Sequence, residues 1–329
     1  MRTALGIVCS FLVLFLSGEM AHAQTKPMVI RLTALSPIGH PVHQGLVRFA
    51  ELVAERTKKQ VEIQLFPASQ LGDQPTQMNM VKIGSVEMGL IGSGILGMVV
   101  KEYNVDSVMY IYRDRDHLQK VWRGPIAREL GDKFLATQGV RTLNSIWEVG
   151  IRHVLAKKPV QRVEDLNGLK IRTPESALFF EGFKALGARP TTIAFAEVYT
   201  ALQLGTVDAM ECPLDWIYTS RFHEVAKNLT LTAHLNNIHS LLVNEKFWQT
   251  LSPDIQKVLT EAGLEAGEYA NLQIKNGEAD YRKKMEQGGV TFISVDTGPF
   301  QRKAEEAIPK LAHIWGGDMK LAERVKNTQ

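Results

Sequence analysis

The chain has 329 residues, 45% hydrophobic and 22% charged, a globular balance that excludes a disordered, collagen-like or disulfide-stapled protein. This length reads as two domains, each large enough to bury its own core. Thirty-eight basic against 35 acidic side chains leave a net +3, too small a surplus to mark a nucleic-acid binder.

Arg2 gives a positive start, Leu5 to Leu16 is a nearly unbroken apolar run of 12 residues, and Ala21-His22-Ala23 reads as a small-x-small cleavage site. Residues 1–23 are therefore expected to be a cleaved signal peptide and the protein to be exported to the periplasm. The run falls short of the about 20 apolar residues that a spanning helix needs. Cys9 would leave with the signal, making Cys212 the single thiol of the mature chain, buried or shielded, with no internal disulfide. No later stretch approaches about 18 uninterrupted apolar residues, so the mature chain is expected to be soluble.

Met28 to Leu35 reads as a strand and Pro41 to Lys59 as a helix with proline at its start. Val61 to Leu65 alternates with period two, Asp73 to Ile83 is helical up to Gly84, and Met88 to Ile91 is a short buried strand. This alternation predicts parallel pairing through right-handed crossovers. Leu118 to Thr137 reads as one helix, followed by strands at Val140 to Ile146, Arg152 to Ala156 and Leu169 to Arg172. Helices at Ser176 to Leu186 and Phe195 to Gln203 precede a strand at Val207 to Met210. Leu229 to Val243 holds two β-like runs around Asn236-Asn237. Pro253 to about Gln287 reads as one very long helix, weakened by Gly263, Gly267 and Gly277, and a strand and terminal helices follow. The expected class is α/β in two hinged lobes, with ligands beyond the carboxyl ends of the strands.

Gly92 to Gly97 fits GxGxxG and follows a strand, with Asp114 and Asp116 about twenty residues on. The helix that a dinucleotide site requires is poorly supported from Met98 to Asp106, and an exported protein rarely meets free NAD. The segment reads instead as a glycine-rich loop bringing backbone amides close to a ligand. Histidines are scattered, and no metal or cofactor is expected. There is no GxSxG, CxxC or phosphate loop. Arg172 ends a short strand before Thr173-Pro174, where open α/β sheets present ligands, and Arg152 stands in a second apolar setting. Both carry the planar donor fork suited to a carboxylate. Trp147, Phe195 and Trp216 flank these segments and are candidates to cover the apolar part of a small organic acid.

The ordered set of segments resembles the solute-binding component of tripartite ATP-independent periplasmic (TRAP) transporters, of the dicarboxylate-receptor-like kind, over almost the whole mature chain. It begins at His40-Pro41 and continues through Phe66-Pro67-Ala68-Ser69-Gln70-Leu71-Gly72-Asp73. Its strongest part is Asp165-Leu166-Asn167-Gly168-Leu169-Lys170-Ile171-Arg172-Thr173-Pro174, followed by Ala194-Phe195-Ala196-Glu197-Val198-Tyr199 and Gly205 to Pro213. The resemblance implies that Arg172 grips a ligand carboxylate with help from Arg152, that Phe195 packs near the ligand, and that Ser93 in the glycine-rich loop faces the cleft. Cys212 stands where the family often has a polar contact such as Asn, and a thiol is a poor hydrogen-bond partner.

The implied architecture is a two-lobed periplasmic-binding-protein fold, each lobe a mixed, mostly parallel sheet flanked by helices, with a long helix across both. Lobe I is expected from 24–149 plus 238–277, and lobe II from 150–237 plus 278–329. The implied protein is no enzyme. It captures a small organic acid and delivers it to membrane subunits driven by an ion gradient. A periplasmic hydrolase or isomerase of small acids and a sensing partner of a membrane kinase are the alternatives.

Overall fold

The structure, a computed structural model, describes residues 26–329, so the expected signal peptide and Cys9 lie outside it. The chain forms two sheets. The first has five strands: β1 (Met28–Ala34), β2 (Val61–Phe66), β3 (Met88–Gly92), β4 (Val140–Glu148) and β10 (Ile238–Asn244), in the spatial order β2-β1-β3-β10-β4. The second has six: β5 (Arg152–Ala156), β6 (Lys170–Thr173), β7 (Arg189–Thr192), β8 (Ala209–Cys212), β9 (Asn228–Leu235) and β11 (Thr291–Ile293), in the order β11-β9-β5-β8-β6-β7.

Crossover helices make β1 parallel to β2 and β3, while β10 enters the first sheet antiparallel between β3 and β4. In the second sheet β6 runs parallel to β7 and β8, and β5 lies antiparallel to β8 and β9. The chain crosses between sheets at Val149–Ile151 and again at Asn236–Asn237. Gly150 has φ +111, a region costly for any side chain, and a Cβ there would stand 3.0 Å from Pro213.

Local chemistry sets the helix ends. Helix Pro41–Arg56 opens with proline at its first turn, and the His40 ring accepts from the Val42 amide at 3.0 Å. It ends three residues before the expected Lys59, where Lys58 and Lys59 turn into left-handed backbone. The helix expected over Leu118–Thr137 is two, Arg115–Arg123 and Pro125–Gln138. Pro125 cannot donate to the preceding turn but suits the first position of a new one.

Helix Pro253–Gln287 has 35 residues, about 52 Å at the α-helical rise. It packs on helix Pro41–Arg56 and β4 of the first lobe and on helix Leu214–Thr219 of the second, then feeds β11. Its glycines have a packing role that their low helix propensity conceals. A Cβ on Gly263 would stand 2.7 Å from Leu241, and one on Gly267 3.1 Å from Ile146 and Trp147. Gly45 on the crossing helix would meet Ala270 at 2.7 Å. After β11, helix Met319–Lys326 returns to share a core with Tyr103, Trp122 and Leu242.

Candidate functional site

Parallel strands end at one edge of a sheet, so their last side chains converge. Arg172 is the third residue of β6, Cys212 is the last of β8, and Arg152 opens antiparallel β5 at the same edge, where His153 pairs with Cys212. In the first sheet Gly92 ends β3 and pairs with His239 of β10. A cleft lies between these two edges.

Five of the seven sequence candidates line it: Arg172, Arg152, Phe195, Cys212 and Trp216. The two arginines differ sharply. Arg152 Nη2 donates to Glu211 Oε1 at 2.7 Å and to the Glu211 carbonyl at 3.1 Å, and its Nε also meets Oε2 of that carboxylate. Burial opposes the charge on Arg152, but the adjacent Glu211 more than reverses this and raises its pKa. Arg172 is 1% exposed. Its Nε donates to the Ile193 carbonyl at 2.8 Å, and among the described residues no carboxylate forms an ion pair with it. Burial lowers its pKa, against the pull of Glu211 and Glu175. A guanidinium nevertheless stays charged.

The aromatics hold these groups in place. The Arg152 guanidinium lies 5.0 Å from the Phe179 ring centre, and that of Arg172 lies 5.9 Å from Phe195. Phe195 meets Trp216 edge-on at 5.4 Å, and the Trp216 indole donates to the Val149 carbonyl at 3.0 Å. Burial pushes the Cys212 thiol up to about 12, so it remains protonated and unreactive. His40 Nε2, in the first lobe, stands 3.2 Å from Asp215 Oδ2 in the second, without alignment for a hydrogen bond.

Trp147 and Ser93 lie outside the cleft lining. Trp147 is fully buried under the crossing of the two long helices, beside Gly45 and Gly267. Ser93 turns into the core and donates to Asp106 Oδ2 at 2.5 Å. Tyr112, Trp122 and the Ile238 amide donate to the same carboxylate. The glycines around Ser93 do line the cleft: Gly92 and Gly94 lack the Cβ that would collide with Gln74 and Ser176. The GxGxxG segment opens only the four-residue helix Ser93–Leu96.

Sequence reasoning missed several lining residues. Gln74 Nε2, Ser176 Oγ and Asn237 Oδ1 are buried there without partners. Each sits at an ordinary helix start or strand crossing, so only its unsatisfied burial marks it. His239 also lines the cleft, and burial, aided by Arg152 and His40, holds its pKa down to about 3. Among the described residues no three His, Cys, Asp or Glu side chains gather as a metal site, and no helix is long and apolar enough to cross a membrane.

The family model described as bacterial extracellular solute-binding protein, family 7, matches residues 33–314. The C4-dicarboxylate-binding periplasmic protein DctP of Rhodobacter capsulatus is 32% identical over 289 residues, covering 87% of this chain and 86% of that one. A TRAP periplasmic solute-binding protein from Sulfurospirillum deleyianum, solved with bound succinate, superposes with a TM-score of 0.87 at 30% identity, covering 93% of this chain and all of that one. Another, from Polaromonas, solved bound to D-erythronate, gives 0.87 at 29% identity over 92% of this chain and 99% of that one.

Proposed function

The chain belongs to the bacterial extracellular solute-binding proteins of family 7, and from that membership we propose that it is the periplasmic receptor of a TRAP transporter, gripping the carboxylate of a small organic acid with Arg172 and handing the acid to the membrane subunits unchanged. The relatives bind C4-dicarboxylates, succinate and D-erythronate, all carboxylates. The family is one of binding proteins, and the reading calls for no chemical step.

The observation that carries the reading is the contrast between the arginines. Arg152 is paired with Glu211 through Nε and Nη2, whereas among the described residues Arg172 has no carboxylate partner although its side chain is 1% exposed. A buried cation without a partner is unfavourable, and an incoming carboxylate relieves it through paired charge-assisted bonds. In this reading the lobes swing about the crossings at Val149–Ile151 and Asn236–Asn237. Closure removes water from the ion pair, strengthening it, and the ligand stabilises the closed form by its greater affinity for it.

Calorimetry tests the assignment. Arg172→Ala is expected to weaken binding of the acid by about 2–5 kcal/mol. Arg172→Lys also weakens it, because the point charge lacks the fork. Unchanged affinity in Arg172→Ala would remove Arg172 from the site.

A further inference from the structure

We propose that the cleft takes a monocarboxylate whose apolar body carries one or two hydroxyl or oxo oxygens, in preference to dicarboxylates and polyhydroxy acids. The inference rests on the reading of Arg172 as the carboxylate anchor and narrows the class of ligand.

The charge on the lining admits one carboxylate. Arg152 and Arg172 are the lining cations, and Glu211 closes Arg152 in a buried, doubly bonded pair. Among the described residues no lysine lines the cleft. The low pKa of His239 keeps its imidazole neutral at physiological pH. Glu175, part-buried on the wall next to Ser176, adds negative charge. A second carboxylate would lose its water here and find no cation in return.

The walls and the unpaired polar atoms define the rest. Leu35 and Ile95 line the cleft from the first lobe, and Phe179, Phe195 and Trp216 from the second. The Cys212 thiol on the wall is a weak hydrogen-bonding group and nearly apolar. A polyhydroxy chain would need a partner for every hydroxyl it buries. The uncharged polar side chains on the lining are Gln74, Ser176, Asn237 and His239, and Gln74 Nε2, Ser176 Oγ and Asn237 Oδ1 are buried without partners, a set that serves a few ligand oxygens and not every hydroxyl of a sugar acid.

The test uses pairs of acids matched in shape, titrated calorimetrically into the purified protein. 4-Methylpentanoate is compared with succinate, and 5-methyl-2-oxohexanoate with 2-oxoglutarate. In each pair an isopropyl group replaces one carboxylate, so shape is kept while the charge and polarity of that end are removed. Gluconate represents the polyhydroxy acids. The monocarboxylate of each pair is expected to bind about tenfold or more tightly than its partner. The oxo acid should bind best and gluconate worst. Tighter binding of succinate, 2-oxoglutarate or gluconate, lost in Arg172→Ala, would overturn the ligand class and leave the carboxylate receptor standing. Failure of every acid to bind, or binding that survives Arg172→Ala, would overturn the receptor reading and this inference with it. Glu175→Gln should narrow the gap within each pair, and a gap left unchanged would refute the charge count.

Discussion

Arg152 and Glu211 form a buried ion pair at the wall of the cleft, in which both oxygens of the carboxylate meet the guanidinium. Burial pushes the Glu211 pKa up, but Arg152 and the His234 ring, 3.3 Å from Oε2, overcome it and hold the carboxyl below its ordinary range. The pair fixes Arg152 at the edge of the sheet and leaves Arg172 as the available cation.

Glu211→Gln strands the Arg152 charge in the core and is expected to cost about 3–5 kcal/mol of folding stability. The sign with pH follows from the lowered carboxyl pKa. The Glu211 contribution is complete above the unfolded value near 4.3 and disappears as pH falls through the lower folded value. Chemical denaturation of wild type and variant at pH 7 and pH 3 checks this. The stability difference should be large at the first pH and shrink at the second.

His153 provides a separate acid sensitivity. Burial, with His234 nearby, holds its pKa down to about 3. The unfolded imidazole takes its proton near 6.5, so between these values the unfolded state binds more protons. Folding stability should therefore fall as pH drops from about 6.5 toward 3, by up to about 1.4 kcal/mol per pH unit from this residue. His153→Gln, measured over the same range, should have a flatter profile. An identical slope would show that His153 does not carry the effect.

Arg172 should burden the ligand-free fold. Its guanidinium is buried with no carboxylate partner among the described residues, and its Nε donates to the Ile193 carbonyl. Arg172→Met keeps much of the packing volume and removes the charge. The variant is expected to melt a few degrees higher than wild type without ligand, while losing the upward shift that the bound acid gives wild type. Differential scanning calorimetry with and without the acid reads both effects. A large drop in the melting temperature of the ligand-free variant would mean that Arg172 supports the fold instead.

The crossover topology was legible because apolar periodicity and prolines report local geometry directly: β1, β2 and β3 pair in parallel as the alternation required. The position of Arg172 at the carboxyl end of β6 was legible for the same reason. Which side chains reach the cleft was less legible. Trp147 and Trp216 look alike in sequence, yet one lies under the helix crossing and the other lines the cleft, because that depends on how the sheets meet. Gln74 and Asn237 were invisible, since an unsatisfied amide appears only once its surroundings are assembled. The glycines of the long helix misled in an instructive way: propensity is a property of the isolated helix, whereas close approach belongs to its neighbours.

That distinction separates Gly45, Gly267 and Gly277. Gly45 and Gly267 sit at the crossing of the two long helices, where a Cβ would fall 2.7 Å from Ala270 or 3.1 Å from Ile146. Ala270 Cβ cannot move without its backbone, and Ile146 and the Trp147 ring, also 3.1 Å from the Gly267 position, are fully buried. Gly277 lies further along, and its nearest neighbour is the part-exposed ring of Tyr281 at 3.1 Å. Gly45→Ala should therefore force the helices apart and destabilise the protein by about 1–3 kcal/mol, with Gly267→Ala close behind. Gly277→Ala should be neutral or stabilising by about 0.5–1 kcal/mol, because there the gain in helix propensity meets little resistance. Urea denaturation of the three variants decides the matter. If all three were stabilised alike, propensity alone would govern this helix, and its tight seat against the first lobe would count for nothing.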